Sequence, residues 1–189
     1  MIGGWYSEEE LRSIGLGSFG KDVQIDSSVQ LINPDKIFIK DHVRIDSFSF
    51  INAGPDGIHI GNHVHLAVGV YIFGGSAKVE LGDFAGLAAR VSLYTATDDY
   101  SGEFMTNPTV PDEFKNVQRG PVILGRHALV GTNTVIMPGV TLALGSAVGA
   151  LSYVTRSVEE FEFVNGRPAK RIGKRCQDLL RLEQEMLAR

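Results

Sequence analysis

The chain has 189 residues with 18 Lys and Arg against 22 Asp and Glu, a formal net charge of -4, so no global attraction draws it to nucleic acid or to an anionic membrane. With 43% hydrophobic residues it holds enough apolar surface for one core, and its one cysteine, Cys176, excludes an internal disulfide framework. No apolar run is long enough to span a bilayer and the start MIGGWYSEEE lacks a secretory pattern, so the protein reads as cytoplasmic.

Residues 1–18 form an N-terminal cap. Ser7 is followed three residues later by Glu10, a capping-box pattern that opens a short helix over SEEELRSI. That helix closes the first coil of the repeat region, because a bare sheet end exposes apolar side chains and open backbone.

From residue 19 to 166 the chain keeps a six-residue beat. Aliphatic residues mark position one at Ile25, Leu31 and Ile37, and after short slips at Ile39, Ile45, Ile51, then Ile60, Leu66, Ile72, and Leu81, Leu87, Leu93. A last run occupies Leu124, Val130, Ile136, Leu142, Val148 and Val154. Position five is small or β-branched, as at Val43, Val64, Ala85 and Ser146. On a strand, positions one and five point to one side and positions two, four and six to the other. Three hexads therefore make one triangular coil whose interior holds the aliphatic and small residues, and the class is all-β, a parallel β-helix.

Between Asp98 and Gly120 the beat stops for 23 residues, DDYSGEFMTNPTVPDEFKNVQRG, then resumes. Loops longer than roughly 12–15 residues in compact domains are usually functional or disordered, and Tyr100, Phe104, Met105 and Phe114 favour an ordered loop that packs on something. Residues 167–189 form a helical tail, with Ile172, Leu179, Leu180, Met186 and Leu187 at helical spacing. Its start carries the densest positive cluster, Arg167, Lys170, Arg171, Lys174 and Arg175, which is either a solvated helix start or a phosphate grip.

The hexads, the segment SLYTATDDYSG, the run GTNTVIMPGVTLALGSAVGALSYVT and the closing NGRPAKRI resemble the hexapeptide-repeat acyltransferases over residues 19–175. Within them the chain is most similar to the sugar acetyltransferases of the galactoside, maltose and amino-sugar branch. The resemblance implies a left-handed β-helix, a homotrimer, acetyl-CoA lying between neighbouring prisms, and an active site shared by two subunits. It implies as acceptor a sugar or a nucleotide-linked amino sugar, acylated at oxygen or nitrogen for surface polysaccharide assembly, with no metal.

Acyl transfer from a thioester needs an oxyanion donor, an acceptor and usually a base, for which histidine is the common choice. All five histidines, His42, His59, His63, His65 and His127, fall where side chains point outward. In the maltose and galactoside enzymes the base is the histidine ending the stretch that matches TATD; this chain has Asp98 there, then Asp99. The amino-sugar enzymes carry an active-site histidine in a segment similar to VHLA, which is His65 here, while their second histidine matches Asp56. His65 is therefore the base candidate, with Asp98 and Asp99 as orienting or substrate-binding carboxylates. Tyr100 and Asn107 are candidate sugar ligands, Gly131 and Ala150 suit close approach of pantetheine, and the resemblance puts Lys170 and Arg171 near the CoA phosphates.

Two other classes fit parts of the sequence. His63 and His65 are spaced as two imidazoles on one strand face, and Arg44, Ile45 and Asp46 echo an element of the γ-carbonic anhydrases, although LAARVSLYTAT lacks the later ligand histidines. A non-catalytic scaffold with a decayed site is the other, motivated by Asp98 in place of the usual histidine.

Overall fold

A computed structural model describes residues 4–188. The strands are two to five residues long, joined by tight corners, and stack into three parallel faces. On the first face Ile25 pairs in register with Ile45, then Leu66, Leu87, Val130 and Val148. On the second, Leu31 is followed by Ile51, Ile72, Leu93, Ile136 and Val154. On the third, Ile39 is followed by Ile60, Leu81, Leu124 and Leu142. Every position-one residue of the beat is buried except Leu31, in the first coil, which is half-buried. Like lies over like, and each buried Ile or Leu contributes roughly 1.5–3 kcal/mol of transfer free energy.

The slips in the beat now have a place. Val130 to Val148 is 18 residues, three hexads, whereas Leu66 to Leu87 is 21. In each long coil the extra residues lie between the second face and the third, at the edge occupied by Gly54, Pro55 and Asp56 in one coil and by Gly75 and Ser76 in the next. The 23-residue loop leaves from this same third edge. Its two ends are joined by the Gly120 amide donating to the Thr95 carbonyl at 3.0 Å.

The other two edges turn through left-handed backbone. Asp22, His42, His63, Phe84 and His127 stand at φ between 52° and 61° on the first edge, between third and first faces. Their stacking puts His42 on His63, His63 on Phe84 and Phe84 on His127, with ring centroids 4.6–4.8 Å apart. Side-chain stacking offsets the backbone strain that glycine would otherwise relieve. The second edge, between first and second faces, places Phe48, Gly69, Arg90, Asn133 and Leu151 in the same conformation.

Both ends are capped. The helix Glu8–Ile14 opens on the expected capping box of Ser7 and Glu10 and buries Leu11. At the other end the expected helical tail over 167–189 is corrected: Lys170–Lys174 is a strand antiparallel to Glu162–Asn165, and the helix runs only from Asp178 to Leu187. Ile172, read as part of the helical stripe, lies on that strand. The helix is held by Glu183, 8% exposed, whose carboxylate meets Nη1 of Arg126 at 3.1 Å and Nε2 of His127 at 2.9 Å.

Candidate active site

The interrupting loop is an ordered arm. Ala96–Thr97 pairs antiparallel with Gln118–Arg119, and further out Met105 bridges Lys115. Where the arm leaves the prism it encloses a cleft of about 520 Å³, with Asp98, Asp99 and Tyr100 just past the outgoing strand, Arg119 on the returning one, and Tyr153 and Thr155 from the last coil. Asp98 is half-buried there, and among the described residues its carboxylate enters no ion pair and no side-chain hydrogen bond. A larger cavity, about 1110 Å³, lies between the N-terminal helix and the first coil. It is the open end of the prism and holds none of the residues the sequence singled out.

The neighbours of Asp98 divide by what they already hold. Asp99 is tied into the loop, accepting from the Ser101 amide at 2.7 Å and from Nδ2 of Asn116 at 2.6 Å. Hydrogen bonds from the side chain and backbone of Ser101, then from Asn116, keep its carboxyl below the usual carboxylate range. Its first task is to shape the turn. Asn107 stands at the loop tip, at φ 73°, with Oδ1 accepting from the amide and hydroxyl of Thr109. That is turn chemistry, outside the cleft. Tyr100, 89% exposed, keeps its phenol on the rim.

His65 lies elsewhere. It is on the first face, stacked between Arg44 and Gly86, with its side chain half-exposed. Its Nε2 is 2.9 Å from Oδ2 of Asp46, whose Oδ1 accepts from Nε of Arg44 at 2.7 Å. Burial raises the Asp46 carboxyl, and the bonds from Arg44 and His65 outweigh it, so the net shift is downward. A carboxylate that fixes the ring of a histidine is the arrangement of an oriented base. Among the described residues it is Asp46, not Asp98 or Asp99, whose carboxylate meets the His65 ring. Within one chain the structure does not bring His65 to the Asp98 cleft.

Gly131 and Ala150 are stacked corners. A Cβ on Gly131 would stand 2.4 Å from the Ala150 amide nitrogen and 2.8 Å from its Cα. Coil spacing alone accounts for the glycine. Lys170 and Arg171 line a second cleft of about 270 Å³ with Arg156, and Nε of Arg171 is 3.3 Å from Oε1 of Glu162. Of the positive cluster, Lys170, Arg171 and Lys174 lie on an exposed strand rather than a helix start, while Arg175 is half-buried and donates to the carbonyls of His127, Gly145 and Ser146. His63 is sandwiched between His42 and Phe84 on the corner while His65 stands on the strand, so the two do not present a common metal-binding face.

Arg119 and Tyr153 escaped the sequence reading, and Asp46 entered it only beside Arg44 and Ile45, not as a partner of His65. Asp46 is 19 residues from His65, and only the coil register, known once the slips are placed, sets it alongside. Arg119 and Tyr153 reach the cleft through the hairpin pairing and the stacking of later coils. The hairpin had no sequence signal, since no turn motif between Asp98 and Gly120 fixes the pairing of Ala96–Thr97 with Gln118–Arg119.

No family model matches the chain. It is 39% identical over 179 residues to the dTDP-4-amino-4,6-dideoxy-D-glucose acyltransferase of Escherichia coli, covering 95% of this chain and 93% of that one. Two structures of AntD, an N-acyltransferase from Bacillus cereus, superpose with a TM-score of 0.94. A serine variant in complex with dTDP-4-amino-4,6-dideoxyglucose and coenzyme A is 35% identical and covers 100% of this chain and 99% of that one. The protein in complex with dTDP and 3-hydroxybutyryl-CoA is 38% identical, covering 97% and 96%. The prism is accordingly a left-handed β-helix, as the beat implies, and coenzyme A is the co-substrate class. The chain belongs to the hexapeptide-repeat acyltransferases, in the branch that modifies sugars.

Proposed function

We propose that this enzyme acylates the amine of a dTDP-linked amino sugar with acyl-CoA as donor. The observation that carries the reading is the unpartnered Asp98 carboxylate in the arm cleft of a chain alike, nearly end to end, to a protein bound to dTDP-4-amino-4,6-dideoxyglucose and coenzyme A. A carboxylate suits an amine better than a hydroxyl, because it accepts charge-assisted bonds from the N–H groups and turns the nitrogen toward the thioester. The nitrogen attacks the thioester carbonyl carbon, the C–N bond forms, and the C–S bond breaks. Coenzyme A leaves as the thiol with the proton that the amine gives up. Acetyl-CoA is the first donor to try and 3-hydroxybutyryl-CoA the second. The expected result is stoichiometric thiol release with dTDP-4-amino-4,6-dideoxyglucose. Release with a hydroxyl sugar and none with nucleotide-linked amines overturns the reading. The setting proposed is surface polysaccharide assembly in the cytoplasm. Among the described residues no helix is long and apolar enough to cross a membrane.

The assembly proposed is a homotrimer. Phe48, 69% exposed, Val68 and Leu151 line the second edge, and Leu129, Tyr71 and Tyr153 expose apolar surface on the faces that flank it. Such a ridge favours burial against copies of itself. Three prisms meeting at this edge leave a wedge between each pair, walled by the first face of one chain and the second face of the next. That wedge brings His65 of one chain toward the Asp98 corner of its neighbour, which supports the shared site. Light scattering is expected to give three times 20.5 kDa. His65→Ala and Asp98→Ala are each expected to lose at least about 99% of turnover, and co-expressing the two to restore about a quarter of wild-type activity, since about a quarter of the wedges then pair intact walls. Failure to complement places both residues in one chain's site or outside the chemistry.

A further inference from the structure

A nucleoside-diphosphate sugar carries its charge at both ends. The amine at C4 of the hexose and the diphosphate at C1 lie across the ring from each other, one cationic when protonated, the other dianionic. The arm cleft has the matching polarity. Asp98 stands just past the outgoing strand and Arg119 on the returning one, and Arg119 is the one cation among the described residues that line this cleft. In the hairpin Arg119 pairs directly with Ala96. Asp98 lies two residues beyond Ala96, just past the end of the Ala96–Thr97 strand. Arg119 and Asp98 thus flank the base of the arm from its two chains and line one cleft, so a ligand held there meets both.

The guanidinium is also largely uncommitted. It is exposed, its Nη1 donates to the Val117 carbonyl at 3.2 Å, and among the described residues no carboxylate lies within 4.0 Å of it. The carboxylate it influences is Asp112, held below the usual range by Lys115 first and by Arg119 last. Arg44, Arg126 and Arg171 by contrast are each paired with an acid. A planar fork with free donors, beside a carboxylate that takes the other end of the substrate, is the arrangement that grips a diphosphate.

We infer that Arg119 binds the diphosphate of the acceptor and makes the enzyme select a nucleotide-linked amino sugar over the free one. The inference rests on the amine-acylation reading, and its test separates the two. Titrating dTDP alone into the protein reads Arg119 without any turnover. Arg119→Gln is expected to weaken dTDP binding by about tenfold or more with coenzyme A affinity unchanged, and Arg119→Lys to fall between the two. In kinetics, KM for the dTDP-amino sugar rises by about the same factor while kcat stays within about threefold, and preference over the free amino sugar shrinks accordingly. If dTDP binds wild type and Arg119→Gln equally, or wild type not at all, the inference is overturned whatever the catalytic result. If the variant loses dTDP and the wild type acylates no nucleotide-linked amine, the diphosphate site stands and the function falls.

Discussion

Replacing Asp98 with alanine is expected to lower kcat/KM for the dTDP-amino sugar by about 10²–10³-fold, about 2.7–4 kcal/mol of transition-state stabilisation, with coenzyme A binding unchanged. The size follows from position. Asp98 is half-buried in the arm cleft, and among the described residues its carboxylate holds no partner, so whatever it binds comes from outside the chain. Asp98→Asn keeps the shape and one acceptor oxygen but not the charge, and is expected to retain several-fold more activity than alanine. The adjacent Asp99 supplies the internal contrast, because Ser101 and Asn116 already occupy it and its loss loosens the arm rather than the chemistry. Activity near wild type in Asp98→Ala removes this residue from catalysis and leaves the oriented His65 to act alone. The comparison is made by steady-state kinetics, with coenzyme A affinity measured by titration.

The second large effect is on stability. Gly131→Ala is expected to cost about 2–3 kcal/mol, because the added methyl would meet the backbone of the coil above at 2.4–2.8 Å and that coil is hydrogen-bonded back at 2.8 Å between the Gly131 amide and the Val148 carbonyl. For a chain of this length the melting temperature falls by about 4–12 °C. Gly86→Ala is the control, since its Cβ would meet only Leu129 Cδ1, at an ordinary 3.6 Å, and the change is expected to be neutral or stabilising. Scanning calorimetry checks both. If Gly131→Ala melts like wild type and binds coenzyme A more weakly, the glycine serves pantetheine and not the stack.

The prism was legible because its cause is local. A buried aliphatic every sixth residue needs no knowledge of the rest of the chain, and Ile45, Leu66 and Leu87 lie where the beat puts them. The loop was legible as an interruption, and Asp98 as the residue on its threshold. Contacts between coils were not legible, because they depend on where the slips fall. Had every coil held 18 residues, Asp46 would not flank His65, and although the beat itself puts the extra residues between Ile51 and Ile60, it does not say which outward side chains of neighbouring coils bond to one another. The αL corners were hidden for a different reason. Left-handed backbone suggests glycine or asparagine, and here His42, His63, Phe84 and His127 take it, sustained by stacking on one another. Glu183 carries no local signal for burial, because its two partners lie more than 50 residues away.

The Gly120 to Thr95 bond closes the coil at the base of the arm as if the intervening residues were absent. The arm therefore lies outside the run of coil-to-coil pairs that holds the prism. Substitutions, insertions or exchange of the segment between Asp98 and Gln118 are therefore nearly free of cost to the prism. Variation in the arm cleft is separable from the prism, and changes of acceptor contact there leave the stacked coils as they are.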